Sequence, residues 1–335
     1  MMEIAVIGAG GWGTTLAILL FENGHRVRLW EYDPDYARRM TQEHINPIFL
    51  PGIKIPEEIL ISSDLEQVLL SSEIVVFAAP SQFTRDVARK TSPFVSESTV
   101  VVSVAKGIEE DTLKRMTQVL REELNSVDED TIVALSGPSH AEEVSRHIPT
   151  AVVVASPSEE NRTKVQAIFM SPIFRVYTNR DTVGVELGGA LKNVIAIATG
   201  ICDGLGFGDN SKGALMTRGL AEITRLGVTM GADPLTFAGL SGMGDLITTC
   251  ISRHSRNRYV GEQIGKGNSL NQVLEEMKMV AEGVNTTRSA LQLSRKLKVE
   301  MPITERIYAV LFQGEDPRTA VSQLMSRDAK PEVYC

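Results

Sequence analysis

Cysteine is scarce: the 335-residue chain has three, Cys202, Cys250 and Cys335, and they stand far apart. That spacing offers neither a metal-ligand set nor a disulfide framework, and it fits a reducing cytoplasm. Long apolar runs are missing too, since no stretch approaches the ~18 uninterrupted apolar residues that a membrane span needs. Met1-Met2-Glu3 leads straight into a short apolar strand without a basic n-region or cleavage site, so secretion is not expected. Internal repeats, low-complexity tracts and long charge runs are lacking as well. Positive charge is in deficit: 34 Lys and Arg face 42 Asp and Glu, for a net charge of −8. The deficit argues against nucleic acid as a partner. It also makes any local gathering of cations informative, because a basic pocket focuses its field on an anion whatever the total charge.

What is present is ordinary globular material, 43% hydrophobic and 23% charged. The length is comfortable for two domains. Short β-branched runs over 4–7, 27–30, 74–78, 100–105, 132–135, 151–155 and 174–177 read as strands, most of them apolar on both faces. Helical stretches such as 14–23, 34–43 and 113–124 lie between them. This alternation predicts an α/β fold with a doubly wound, mainly parallel Rossmann-type sheet. The stretch 44–56, with three prolines and one glycine, reads as a loop. After about residue 180 the texture turns helical, over 183–200, 212–227, 257–265, 270–278, 286–298, 303–312 and 317–325. We therefore expect a dinucleotide-binding domain over 1–181 and an all-α substrate-binding domain over 182–335.

The turn Gly8-Ala9-Gly10-Gly11-Trp12-Gly13 follows the first strand directly and opens a helix, the context that the dinucleotide fingerprint requires. Gly8 permits the tight turn, Gly10 lets a pyrophosphate approach, and Gly13 allows close helix–strand contact. The helix start offers unpaired N–H groups and a positive dipole end to phosphates. The next strand ends at Trp30-Glu31-Tyr32-Asp33, where an acidic residue would bond the ribose hydroxyls of NAD. Glu31 is the better placed of the two; the other reading leaves Glu31 and Asp33 solvated, with Asp33 starting the following helix.

Four further segments carry chemistry. Ala105-Lys106-Gly107 and Ser136-Gly137-Pro138-Ser139 each follow a buried strand, on the edge where open α/β sheets bind ligands. Lys192 and Asn193 sit in an apolar helix, where Gly188 and Gly189 share the lysine's face and leave room beside its stem. A lysine buried there is costly without a partner charge, ligand or water; the alternative is a snorkelling surface lysine. Last, Gly242-Met243-Gly244-Asp245 precedes Ser255-Arg256-Asn257-Arg258, a helix start whose cap, free N–H groups and guanidinium suit a phosphate.

In their order and spacing these motifs resemble the bacterial NAD-dependent glycerol-3-phosphate dehydrogenases, across nearly the whole chain. The resemblance implies interconversion of dihydroxyacetone phosphate and sn-glycerol 3-phosphate with NADH or NADPH, supplying glycerophospholipid synthesis. It implies Lys192 as proton donor and acceptor, helped by Lys106 and Asp245. Lys106, Gly137, Ser139, Lys192, Asn193, Asp245, Ser255, Arg256 and Asn257 would meet the substrate. Gly8, Gly10, Gly11, Trp12, Gly13, Glu31, Tyr32, Lys106, Ala141, Arg256, Val280 and Glu282 would line the cofactor. No metal is expected. Two positions depart from the family. Serine usually stands where Gly11 is, a change expected to cost little because the backbone does the binding. Many members, NADPH users above all, have arginine where Tyr32 is, so NADPH preference does not carry over to this chain.

The chemistry expected is hydride transfer to carbon 2 of the ketone, with Lys192 polarising the carbonyl and protonating the alkoxide. Lys106 would lower the Lys192 pKa, Asp245 would limit the repulsion between the two, and Arg256 would grip the phosphate. Two other readings fit part of the pattern. One is a related dehydrogenase of a β-hydroxy or α-keto acid such as ketopantoate, whose substrate has no phosphate for the Ser255 helix start. The other is a non-catalytic NAD(H) sensor, which has no use for two lysines and an aspartate around a pocket. The small-residue seams of the helical half favour a homodimer.

Overall fold

The computed structural model describes residues 1–329 and 331–332; Cys335 lies outside them. Among these residues ten strands form, in chain order: β1 (Glu3–Ile7), β2 (Arg26–Trp30), β3 (Ile45–Asn46), β4 (Leu50–Lys54), β5 (Leu60–Ser62), β6 (Ile74–Phe77), β7 (Val100–Ser103), β8 (Ile132–Ser136), β9 (Thr150–Ala155) and β10 (Phe174–Asn179). Eight of them make one sheet, in the order β10-β9-β8-β7-β6-β1-β2-β5. Neighbours from β5 to β8 pair in parallel, whereas β9 runs antiparallel to β8 and β10 parallel to β9. The sheet is thus mainly parallel and doubly wound, with its strand order reversing between β1 and β6. Ile4 and Val6 of β1 enter one apolar core while Ala5 and Ile7 enter another, so both faces of the strand are covered.

The first half departs from the sequence reading at two places: the helix expected over 113–124 begins only at Met116, after Leu113 at φ +60°, and a hairpin replaces an expected loop. Residues 44–56 are not an irregular loop: β3 and β4 pair as a short antiparallel hairpin, and β5 follows as the sheet's edge strand. Their apolar positions are too few and too broken by proline for periodicity to reveal them.

The second half is helical from Thr182 onward. Its axis is the 23-residue helix Thr182–Gly204, nearly all of it buried. This helix is long and apolar enough to cross a membrane, yet 94% of its most apolar window is buried inside the protein. The helices Asp209–Thr229, Asp245–Ile251, Arg256–Gly265 and Glu282–Leu297 pack around it. Glycines set the closest of these contacts. A Cβ at Gly200 would stand 2.0 Å from the Arg258 carbonyl oxygen, and one at Gly261 2.0 Å from that of Ile197. Backbone meets backbone along this seam, which fixes where the Arg256 helix begins relative to Asn193.

Candidate active site

One cleft of about 690 Å3 runs along the carboxyl edge of the parallel strands and takes its walls from both halves of the chain. At one end is the glycine turn. Gly8 adopts φ +112°, and a Cβ there would stand 2.9 Å from the Ala79 amide nitrogen. Gly13 packs so tightly that its Cβ would come 1.9 Å from the Gly8 carbonyl oxygen. Gly10 is the opposite case, a cleft residue with nothing within 4 Å of where a Cβ would be. The following helix, Gly11–Glu22, has no side-chain cap and no acid in its first turn. Its free N–H groups and dipole therefore remain available to an anion, and a dinucleotide pyrophosphate fits this cradle.

The hairpin closes over that turn through Asn46, which is fully buried. Its amide donates to the Ala9 carbonyl at 2.7 Å and the Thr14 hydroxyl at 2.8 Å. Its oxygen accepts from the Tyr36 hydroxyl at 2.6 Å and the Phe49 amide at 3.0 Å. The Phe49 carbonyl oxygen then lies only 2.6 Å from where a Gly11 Cβ would sit. In this chain a side chain at Gly11 would meet backbone and push the hairpin back.

Glu31 is 3% exposed, so the solvated reading fails for it. Its carboxylate accepts from the Asp33 amide at 3.1 Å, and burial raises its pKa. Asp33 caps the helix Pro34–Glu43. Tyr32, between them, is 75% exposed at the rim of the cleft.

The other end is built from charge. The Asp245 carboxylate is 1% exposed and bridges both lysines: Lys106 Nζ donates to Oδ2 at 2.9 Å, and Lys192 Nζ to Oδ1 at 2.6 Å. Lys106 also reaches the Gly137 carbonyl at 2.8 Å and the Ser139 hydroxyl at 3.3 Å. Lys192, 5% exposed and no surface lysine, donates to the Thr249 hydroxyl at 2.6 Å. Burial is the main force on Lys192 and pushes its pKa down to about 8; Lys106 adds to that, while Asp245 opposes it. Asp245 is the reverse case: burial alone would raise its pKa, but the two ammonium groups hold it below the usual carboxylate range.

A chain of amides braces this end. Asn193 Nδ2 donates to the Lys106 carbonyl at 3.1 Å, Asn257 Nδ2 to Asn193 Oδ1 at 2.9 Å, and the Gly283 amide to Asn257 Oδ1 at 2.9 Å. Ser255 caps its helix by accepting the Arg258 amide at 3.2 Å. Arg256, which lines the cleft with its side chain exposed to solvent, donates to the Val280 carbonyl at 2.9 Å. Glu282 accepts the Ser81 amide at 2.8 Å and the Ser81 hydroxyl. Just before Asp245, the Gly244 amide bonds back to the Gly239 carbonyl at 3.1 Å, closing a π-helical turn over Leu240–Gly244.

Every residue expected to hold cofactor or substrate lines this cleft except Gly13 and Gly137, which support it from behind. Gly188 and Gly189 make room for neighbours other than the Lys192 stem: their Cβ atoms would meet the Ser241 carbonyl at 2.7 Å and the Ser136 hydroxyl at 2.4 Å. Sequence reading missed Thr249, although it stands four residues after Asp245 on the same helix face. The helix Asp245–Ile251 had gone unrecognised beside its glycines. It also missed Phe49, His140 and His254, which line the cleft and carry no local signal.

Two family models match the chain, the NAD-dependent glycerol-3-phosphate dehydrogenase N-terminus over residues 3–162 and the C-terminus over residues 181–322. A glycerol-3-phosphate dehydrogenase [NAD(P)+] of Pelotomaculum thermopropionicum is 56% identical over 99% of this chain and 95% of its own length. The chain belongs to the NAD-dependent glycerol-3-phosphate dehydrogenase family. A second such enzyme, of a Thermoanaerobacter species, is 54% identical over 99% of both chains. The crystal structure of glycerol-3-phosphate dehydrogenase from Coxiella burnetii matches with a TM-score of 0.93 and 36% identity, covering 97% of this chain and 99% of that one. A ketopantoate reductase from Ralstonia eutropha shares the fold alone, at TM-score 0.61 and 17% identity. The protein is accordingly an oxidoreductase using NAD or NADP, and its two-part fold is that of the family.

Proposed function

We propose that the enzyme interconverts dihydroxyacetone phosphate and sn-glycerol 3-phosphate, with residues 1–181 as the dinucleotide-binding domain and 182–335 as the substrate-binding domain, which also closes on the dinucleotide. The carrying observation is the buried Asp245 carboxylate gripping two lysines in the same cleft as Arg256 and the Ser255 helix start. The placement of a sheet ending at Asn179 and a helix beginning at Thr182 supports the division. When bound, the reduced dinucleotide supplies the hydride; its pyrophosphate is assigned to Gly8, Gly10, Gly11 and Trp12, and the rest of its length to Glu31, Tyr32, Ala141, Val280 and Glu282.

The proton is the protein's task. Lys192 as an ammonium hydrogen-bonds the ketone oxygen, favours the charge that grows there, and gives up its proton to the alkoxide. A pKa near 8 suits transfer in both directions near neutral pH. Asp245 and Thr249 fix the position of its Nζ. Lys106 and Ser139 face the substrate hydroxyls, Asn193 and Asn257 brace the Lys106 backbone, and Arg256 with the Ser255 cap takes the phosphate.

The test is NADH or NADPH oxidation by purified protein with dihydroxyacetone phosphate and with dihydroxyacetone. Turnover that depends on the phosphate supports the reading, and equal rates on both would sink it. We further propose that the enzyme works in the cytoplasm as a homodimer. The free, buried Cys202 and Cys250 support the first. Met243, Ile247 and Ile251, an exposed apolar stripe at four-residue spacing, supports the second.

A further inference from the structure

The cofactor end of the cleft carries an asymmetry of charge. Glu31 leaves β2 next to β1, whose turn would receive the pyrophosphate, and the adenosine ribose of a dinucleotide lies beside the strand following that turn. The carboxylate lines the cleft yet is nearly closed to solvent. One oxygen accepts the Asp33 amide at 3.1 Å. A carboxylate has about four acceptor sites, so capacity remains for a ribose diol. We propose that Glu31 makes this enzyme select NAD(H) against NADP(H), and that Tyr32 leaves the ribose end without the cation that would reverse the choice.

The surrounding charges carry the argument. The charge acting on Glu31 is that of Asp33, a second carboxylate. The nearby helix Pro34–Glu43 has two arginines, and both are engaged: Arg38 pairs with Asp35, and Arg39 with Glu43 at 3.0 Å. Lys106, Lys192 and Arg256 are bonded at the other end. Lys90 and Lys278, the remaining cations on the cleft walls, are not among the groups that shift Glu31. A 2′-phosphate would therefore stand against a desolvated carboxylate, while Arg38 and Arg39 are turned to Asp35 and Glu43. A 2′-hydroxyl would find a strong acceptor instead.

The inference rests on the dinucleotide reading of the cleft, and binding tests it apart from turnover. Both tryptophans of the chain, Trp12 and Trp30, line the cleft, so quenching of their emission reports the dissociation constants of NADH and NADPH directly. The expected result is about tenfold or more in favour of NADH, the scale of one charge pair at a partly buried site. Glu31→Gln should raise NADPH relative to NADH about tenfold. Tyr32→Arg alone should gain less for NADPH than the same change combined with Glu31→Ser, because Glu31 would pair with the new guanidinium. Equal or tighter binding of NADPH by the unaltered protein would overturn the proposal, as would an unchanged ratio in Glu31→Gln. Selective binding without turnover of dihydroxyacetone phosphate would leave the selectivity standing and remove the substrate assignment.

Discussion

The two ends of the cleft are made by opposite means. At the glycine turn the protein offers backbone: N–H groups, a helix end, and gaps where side chains are missing. At the Lys192 end it offers side-chain charge that is buried, paired and held by amides. The first kind of site depends on shape and is easily spoiled by adding atoms. The second depends on protonation and is spoiled by removing them. A binding end can be rigid and electrically plain, whereas a reacting end must hold charges whose state changes during the reaction.

That contrast can be broken experimentally, most severely at Lys192. Lys192→Ala should lower turnover about a thousandfold, within the span of a lost general acid, while the dissociation constant for NADH changes little. Loss of both together would mean that the ends are not separable. Arg256→Met should cost about fiftyfold in kcat/KM for dihydroxyacetone phosphate, the scale of a lost charged hydrogen bond, and far less for dihydroxyacetone. Equal losses on both substrates would move the phosphate elsewhere.

A third contrast is pH. Lys192 must be protonated to donate, and burial brings its pKa to about 8. Ketone reduction should therefore fall about tenfold per pH unit above that value, while alcohol oxidation, which needs the neutral amine, should rise about tenfold per unit up to that value and level off beyond it. Profiles that run in parallel would assign the titration to another group. The smallest effect belongs to the glycine end. Gly11→Ser should weaken NADH a few-fold by displacing the Phe49 carbonyl, at about 1 kcal/mol, and leave the pH profile of turnover where it was. A shifted profile would show the ends to be coupled through the hairpin.

How much of this could be read in advance follows the same division. The glycine turn was legible because its function is local: strand, turn and helix are contiguous, and Gly8, Gly10 and Gly13 each have a distinct backbone task. The helix Pro34–Glu43 was read to the residue because Asp33 caps it and proline starts it. The lysine cluster was legible only in outline. Lys192 was conspicuous as a charge in an apolar helix, Lys106 as a lysine at a strand end and Asp245 as part of a glycine motif, but nothing local says that one carboxylate bridges both lysines. Asn46 was invisible for the same reason: its partners Ala9, Thr14, Tyr36 and Phe49 come from four segments, and the stretch around it looks like loop. Glu31 was ambiguous because burial decides its meaning, and burial is a property of the fold.

The π-helical turn Leu240–Gly244 has its own consequence. In an α-helix each residue advances the direction of the side chains by about 100°, so the length of that turn sets the angular phase of everything after it. Removing one residue there would rotate Asp245 and Thr249 by about that angle. The two would keep their mutual geometry and both turn away from Lys192. The reacting lysine is thus clocked by a count of residues as much as by their identity. Along this short segment, a single deletion should be more damaging than most substitutions.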